Sequence, residues 1–159
     1  MSLLRKGFRV SVIRAMLAGL LAASASLPLQ AEVIDIDNAE LARLRNNGVP
    51  LIDIRTAPEW EQTGILPGSQ LLTFFDEYGR NNPAQWLQQV GQVAKPNQPV
   101  ILICRSGNRT QPVSRFLSGQ AGYAKVYNVK YGLVGWLREG RTTTPAAPAL
   151  AACRASRSC

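Results

Sequence analysis

Histidine is absent from all 159 residues, and cysteine occurs only three times, at Cys104, Cys153 and Cys159. Without an imidazole no thiol protease of the Cys–His type can be assembled, so any nucleophile here must be activated by another route. The chain also lacks a run of lysines and arginines interleaved with aromatics, which argues against a nucleic-acid surface. It has no internal repeat and no long linker, and no apolar run reaching the ~20 residues of a comfortable membrane span. What is present is a chain of one-domain length with 46% hydrophobic residues, enough for one packed core and cramped for two.

The formal net charge is +8, but four of the eighteen basic residues, Arg5, Lys6, Arg9 and Arg14, lie in a stretch without acids. Residues 1–14 form a basic n-region and residues 15–27 a short apolar segment, the pattern of a secretory signal peptide over residues 1–31. Cleavage after Ala31 is favoured over cleavage after Ala25, because the acidic, strand-like EVIDI begins just beyond it. An uncleaved N-terminal anchor is the alternative. No cysteine closes the apolar segment, which argues against a lipoprotein. The body from residue 32 carries fourteen basic against ten acidic side chains, a mildly basic surface suited to small anions. The expected location is therefore periplasmic or secreted, with no membrane attachment after cleavage. An oxidising compartment with an odd number of cysteines leaves one thiol free or open to reaction.

From residue 32 onward, short apolar runs alternate with stretches of helical spacing. The pattern predicts an α/β domain over residues 32–140, with a central, mostly parallel five-stranded sheet and helices on both faces. Strands are expected at 32–36, 50–55, 69–74, 99–104 and 124–129. Asp37 with Glu40 makes a capping-box start for one helix, which Gly48 ends. Thr56, Pro58 and Glu59 open a short helix closed by Gly64, and Asn82 with Pro83 opens another that turns Trp86, Leu87 and Val90 inward. Residues 141–159 shift to Pro, Ala, Ser and Thr and read as disordered. Cys153 and Cys159 are near enough to join in a local disulfide that leaves Cys104 unpaired. The alternative, a tail cysteine joined to Cys104, would bring a redox role or a redox protein partner.

The chemistry is concentrated in ILICRSGNRT, residues 101–110. An apolar strand delivers Cys104 into a polar turn that runs into a helix. In an open parallel sheet, sites form beyond the carboxyl ends of the strands. Residues 105–109 can curl so that successive N–H groups face one concavity, Gly107 relieving the steric limit and the following helix adding positive field. Such a cradle binds anions and favours a thiolate, with Arg105 and Arg109 adding to it. A lone cysteine at a strand end is most often a small buried hydrophobe, but a turn this polar after a buried strand calls for a ligand or a solvated mouth. Arg55 and Arg105 read equally well as solvated side chains, and Asp53 as a structural acceptor rather than a catalytic acid.

These residues resemble the rhodanese, or sulfurtransferase, family over residues 33–139. The resemblance rests on LIDIRTAPEW with Asp53, Arg55, Glu59 and Trp60; on GILPGS with Gly64, Pro67 and Gly68; on CRSGNRT; and on VYNVKYGLVGW with Asn128, Gly132 and Trp136. Four residues separate Cys104 from Arg109, the spacing of sulfur-transferring members; phosphatase and arsenate-reductase relatives carry a loop one residue longer, as a larger anion requires. Single-domain exported members match best in layout. Two positions depart from the family pattern: Ile65 stands where a histidine is usual, and Tyr131 where paired glycines are usual.

The resemblance implies a double displacement in which catalytic Cys104 takes a sulfur from thiosulfate or a similar anionic donor, then yields the persulfide sulfur to cyanide or a thiol. Arg105, Ser106, Gly107, Asn108, Arg109 and Thr110 would bind substrate, with Thr110 capping the following helix. Asp53, Arg55 and Glu59 would brace the neighbouring loop by ion pairing. It implies no metal and no organic cofactor. A persulfide carrier without turnover, or a protein-binding module of the same type, is the alternative.

Overall fold

The computed structural model describes residues 31 to 156, so the expected leader up to residue 30, and Cys159, lie outside the described residues. Strands β1 (Glu32–Ile36), β2 (Leu51–Asp53), β3 (Gln70–Leu71), β4 (Val100–Ile103) and β5 (Lys125–Val129) form one sheet in the order β1-β5-β4-β2-β3. Every pairing is parallel. The helices are α1 (Asn38–Asn46), α2 (Ala57–Thr63), α3 (Pro83–Val93), α4 (Thr110–Gly119), α5 (Gly132–Arg138) and α6 (Ala147–Ser156).

All four residues of β4 are fully buried. Side chains alternate across a strand, so Val100 and Leu102, with Cys104 beyond them, join a core with Trp86 and Val90 of α3 and Val113 and Leu117 of α4. Ile101 and Ile103 join the opposite core with Leu41 and Leu44 of α1 and Leu133 of α5. Helices on both faces explain why β4 reads as a continuous apolar run. The chain continues from β4 to β5 on one side and from β2 to β3 on the other. The connections after β2 and β4 therefore diverge and leave a crevice at the carboxyl ends of the two strands.

Local signals act as the sequence suggests, with two adjustments. Asp37 accepts the Glu40 N–H at 2.8 Å, and Asn82 accepts the Gln85 N–H at 3.2 Å. The Glu40 carboxylate pairs with Arg43, its neighbour on the next turn, instead of completing the box. The second and third strands are shorter than their apolar runs, because the chain leaves the sheet to build the crevice.

The expected disordered tail is corrected. Ile65 and Thr144 exchange two backbone hydrogen bonds of 2.9 Å, and α6 follows. Ala146, Leu150 and Cys153 are buried at helical spacing, the first two in a cluster with Trp60, Ile65 and Leu71. Alanine is the strongest helix former, and the few apolar side chains among the alanines make a stripe that closes the β3 edge. Cys153 is disulfide-bonded, whereas Cys104 carries a free thiol, which overturns the alternative joining a tail cysteine to Cys104.

Candidate functional site

Cys104 follows the last residue of β4 and is completely buried. Its Sγ accepts the Gly107 N–H at 3.2 Å and lies 3.6 Å from Thr110 Oγ1. The turn closes over the sulfur because Gly107 adopts φ +90, a conformation other residues rarely take. A Cβ at this glycine would also stand 2.0 Å from the Lys130 carbonyl oxygen. Two independent constraints thus fix glycine at this position.

The outer side of the loop is held by α5. Leu133 N–H donates to the Cys104 carbonyl and Val134 N–H to the Arg105 carbonyl, both at 2.9 Å. The first-turn amides of a helix lack internal partners, and here they find them in the loop. The contact needs Gly132, whose Cβ equivalent would lie 2.5 Å from the Cys104 carbonyl oxygen at φ +54. The departure at Tyr131 is harmless, since that side chain is 55% exposed.

The expected supporting residues form a relay from β2 to the loop. Asp53 and Arg55 are buried and paired, with Arg55 Nε 2.9 Å and Nη2 2.7 Å from the carboxylate oxygens. Arg55 Nη1 donates to Thr63 Oγ1 at 2.7 Å and to the Glu59 carbonyl at 3.4 Å, and Nη2 to the Gly64 carbonyl at 2.9 Å. The reading of Arg55 as a solvated side chain is therefore corrected: its guanidinium is the internal brace of α2. Buried pairs of this kind are costly to break, at about 3–5 kcal/mol, because one charge is left uncompensated.

From α2, Glu59 reaches Arg109 through hydrogen bonds of 2.8 and 2.5 Å. Partial burial raises the Glu59 pKa, but Arg109 and the Thr56 N–H and hydroxyl outweigh it and hold the carboxyl below its ordinary range. For Arg109 the Glu59 hydrogen bond raises the pKa, burial opposes the rise, and the nearby Cys104 sulfur adds to it.

The remaining loop residues divide. Ser106 and Asn108 are exposed, and so is Arg105, whose side chain makes no ion pair or hydrogen bond among the described residues. Thr110 is buried and does not cap α4. It is the first residue of the helix, its hydroxyl donates to the Gly107 carbonyl at 2.8 Å, and the cap position belongs to Arg109, which makes no side-chain cap. The Thr110 hydroxyl instead closes the turn around the sulfur. Among the described residues no cluster of side chains suits a metal ion.

Beside the loop, α2 and α5 enclose a cleft of about 340 Å³ lined by Gln62, Thr63, Arg105, Leu133, Val134 and Leu137, with Arg55 and Glu59 at its wall. Sequence reasoning passed over Gln62, Val134 and Leu137. The available signal was in GLVGWL, whose four large apolar residues exceed what one face of a seven-residue helix can bury, leaving Val134 37% and Leu137 41% exposed.

A family model described as Rhodanese-like domain matches residues 37–139. The chain is 32% identical over 111 residues to a sulfurtransferase of Allochromatium vinosum, covering 68% of this chain and 92% of that protein. It is 32% identical over 97 residues to thiosulfate sulfurtransferase GlpE of Actinobacillus pleuropneumoniae, covering 61% of this chain and 79% of that one. Among solved structures, Rv0390 from M. tuberculosis matches with a TM-score of 0.52 at 23% identity, covering 64% of this chain and 79% of that one, a likeness of fold alone.

Proposed function

Because this chain belongs to the rhodanese-like family, we propose that it is an exported sulfurtransferase that carries a sulfane sulfur on Cys104. The Cys104 thiolate attacks the outer sulfur of thiosulfate. A Cys104–S bond forms, the donor S–S bond breaks, and sulfite leaves with the electron pair. The persulfide is held within the loop until cyanide or a thiol attacks its outer sulfur and regenerates the thiolate. Arg105 draws the anionic donor to the mouth, and Arg109, held by Glu59, sets positive charge beside the sulfur.

The observation that carries this reading is the Gly107 N–H donated to Cys104 Sγ inside a loop with only four residues between Cys104 and Arg109. The resemblance ties that spacing to the members that transfer sulfur. The leader-like residues 1–31 support periplasmic or secreted placement, and the N-terminus of protein recovered outside the cytoplasm is expected at Glu32.

The test is intact mass after brief exposure to thiosulfate, with and without cyanide, beside Cys104→Ser. A gain of one sulfur atom that requires Cys104 and vanishes with cyanide supports the cycle; no gain in folded, reduced protein overturns it. The complete burial of Cys104 favours a second reading, a persulfide carrier that loads slowly and does not turn over. Thiocyanate formed in repeated cycles per protein decides against the carrier, and a single stoichiometric burst decides for it.

A further inference from the structure

Helix α2 has seven residues, too few to stay helical on its own, so its position is set by what it touches. On one side the Glu59 carboxylate holds Arg109. Arg55 donates to Thr63 Oγ1 and to the Gly64 carbonyl at the helix end. A third set of contacts comes from the chain beyond Arg141, which lies outside the rhodanese-like domain of residues 37–139.

Thr143 Oγ1 donates to the Thr63 carbonyl at 2.9 Å, and the last carbonyls of a helix have no partner within it. The chain then crosses Gly64 closely: a Cβ added there would stand 2.7 Å from both Thr143 Oγ1 and the Thr144 carbonyl oxygen. Two hydrogen bonds between Thr144 and Ile65 extend the contact, and Ala146 and Leu150 cluster with Trp60. Adjacent helical residues point about 100° apart. Glu59 thus faces the loop around Cys104 while Trp60 faces α6, and α2 is held between the two.

We propose that the C-terminal segment belongs to the machinery that sets charge beside Cys104, with Thr143 as a positioning residue that fixes the end of α2 and so holds Glu59 on Arg109. The inference rests on the sulfurtransferase reading above. The route is short and made of hydrogen bonds. Thr143 holds the Thr63 carbonyl, the Thr63 hydroxyl donates to the Glu59 carbonyl at 2.8 Å, and the Glu59 carboxylate grips Arg109 at 2.8 and 2.5 Å. Arg109 in turn stands close enough to the Cys104 sulfur to interact with it.

The test is the rate of sulfur loading on Cys104 from thiosulfate, followed by intact mass in single turnovers of the full mature protein. It is compared with Thr143→Val, Thr143→Ser, Glu59→Gln and the double variant of Glu59→Gln with Thr143→Val. Thr143 is only partly buried, so its substitutions leave the fold intact. Thr143→Val keeps the shape and removes the donor, and is expected to slow loading about threefold, the effect of one hydrogen bond. Thr143→Ser should restore the rate. In the Glu59→Gln background, Thr143→Val should change the rate by less than about 1.5-fold, because both substitutions act on one route. A merely structural contact would lower stability in urea and leave loading unchanged, and that result overturns the proposal. A threefold loss that repeats in full in the Glu59→Gln background overturns the route through Arg109. Failure of the unaltered protein to load sulfur from thiosulfate overturns the parent reading instead.

Discussion

Glu59 and Arg109, fifty residues apart in the chain, meet in a two-pronged ion pair of 2.8 and 2.5 Å that ties α2 to the turn around Cys104. Neither partner is wholly exposed, at 25% for Glu59 and 31% for Arg109. The pair therefore acts in a medium less screening than bulk water.

Glu59→Gln is expected to cost about 1–2 kcal/mol at neutral pH, the range for a partly buried charge-assisted contact, and to lower kcat/KM for thiosulfate about tenfold. Folding holds the Glu59 pKa below its ordinary value. The pair therefore contributes fully at pH above the ordinary carboxylate range, and its contribution is lost as pH falls through that range and below it. Thermal melts of the two proteins should differ most at neutral pH and converge in acid. Curves that stay parallel would rule out the pair as the origin of the difference.

Two glycines make a paired test of the loop. Gly107→Ala forces a Cβ to within 2.0 Å of the Lys130 carbonyl oxygen at φ +90, so the turn must open. A loss of about 3 kcal/mol or more, with no persulfide formed, is expected. Gly91, inside α3, has nothing within 4 Å of its added Cβ, and Gly91→Ala should be neutral or stabilising by up to about 1 kcal/mol. Equal effects at the two positions would contradict the geometry.

Arg105 is exposed and without a side-chain partner among the described residues. Arg105→Gln should therefore leave the unfolding free energy within about 0.5 kcal/mol of the parent. It should raise the KM for thiosulfate by roughly five- to tenfold at low salt, with the gap narrowing as ionic strength rises. A fall in kcat at unchanged KM would instead assign Arg105 to the chemical step.

The C-terminal helix is open to test through Leu150, which is 4% exposed and clustered with Trp60, Ile65 and Leu71. Leu150→Ala should cost about 2–4 kcal/mol in urea unfolding. Ile65→His, which restores the residue usual in the family, should cost about 1–3 kcal/mol here, because it buries an unpartnered polar ring under α6. No change in either variant would mean that α6 does not pack as described.

The central strand, its terminal cysteine and the turn that closes over the sulfur were legible because each has a local cause. A covered parallel strand must be apolar on both faces, and the polar CRSGNRT that interrupts it has no structural excuse. Asp37 and Asn82 announced their helices through side chains that accept N–H groups three residues on. The burial of Arg55 and the docking of α6 were not legible, since both depend on partners distant in sequence. Thr143 donates to the Thr63 carbonyl across eighty residues, and no periodicity within an Ala- and Pro-rich tail reports it. Ile65 was a clue in plain view: an apolar residue replacing a usual histidine anticipates a cover. Thr110 was given its capping role by the resemblance, whereas its hydroxyl turns back to Gly107.

The grip of α5 on the Cys104 and Arg105 carbonyls separates two things that mutation can change. The α5 contacts set the path of the chain on leaving β4, and the Gly107 N–H that reaches the sulfur belongs to the backbone, so it is inherited with that path. Ser106 and Asn108 are exposed, so substitutions at these two positions should leave that path intact.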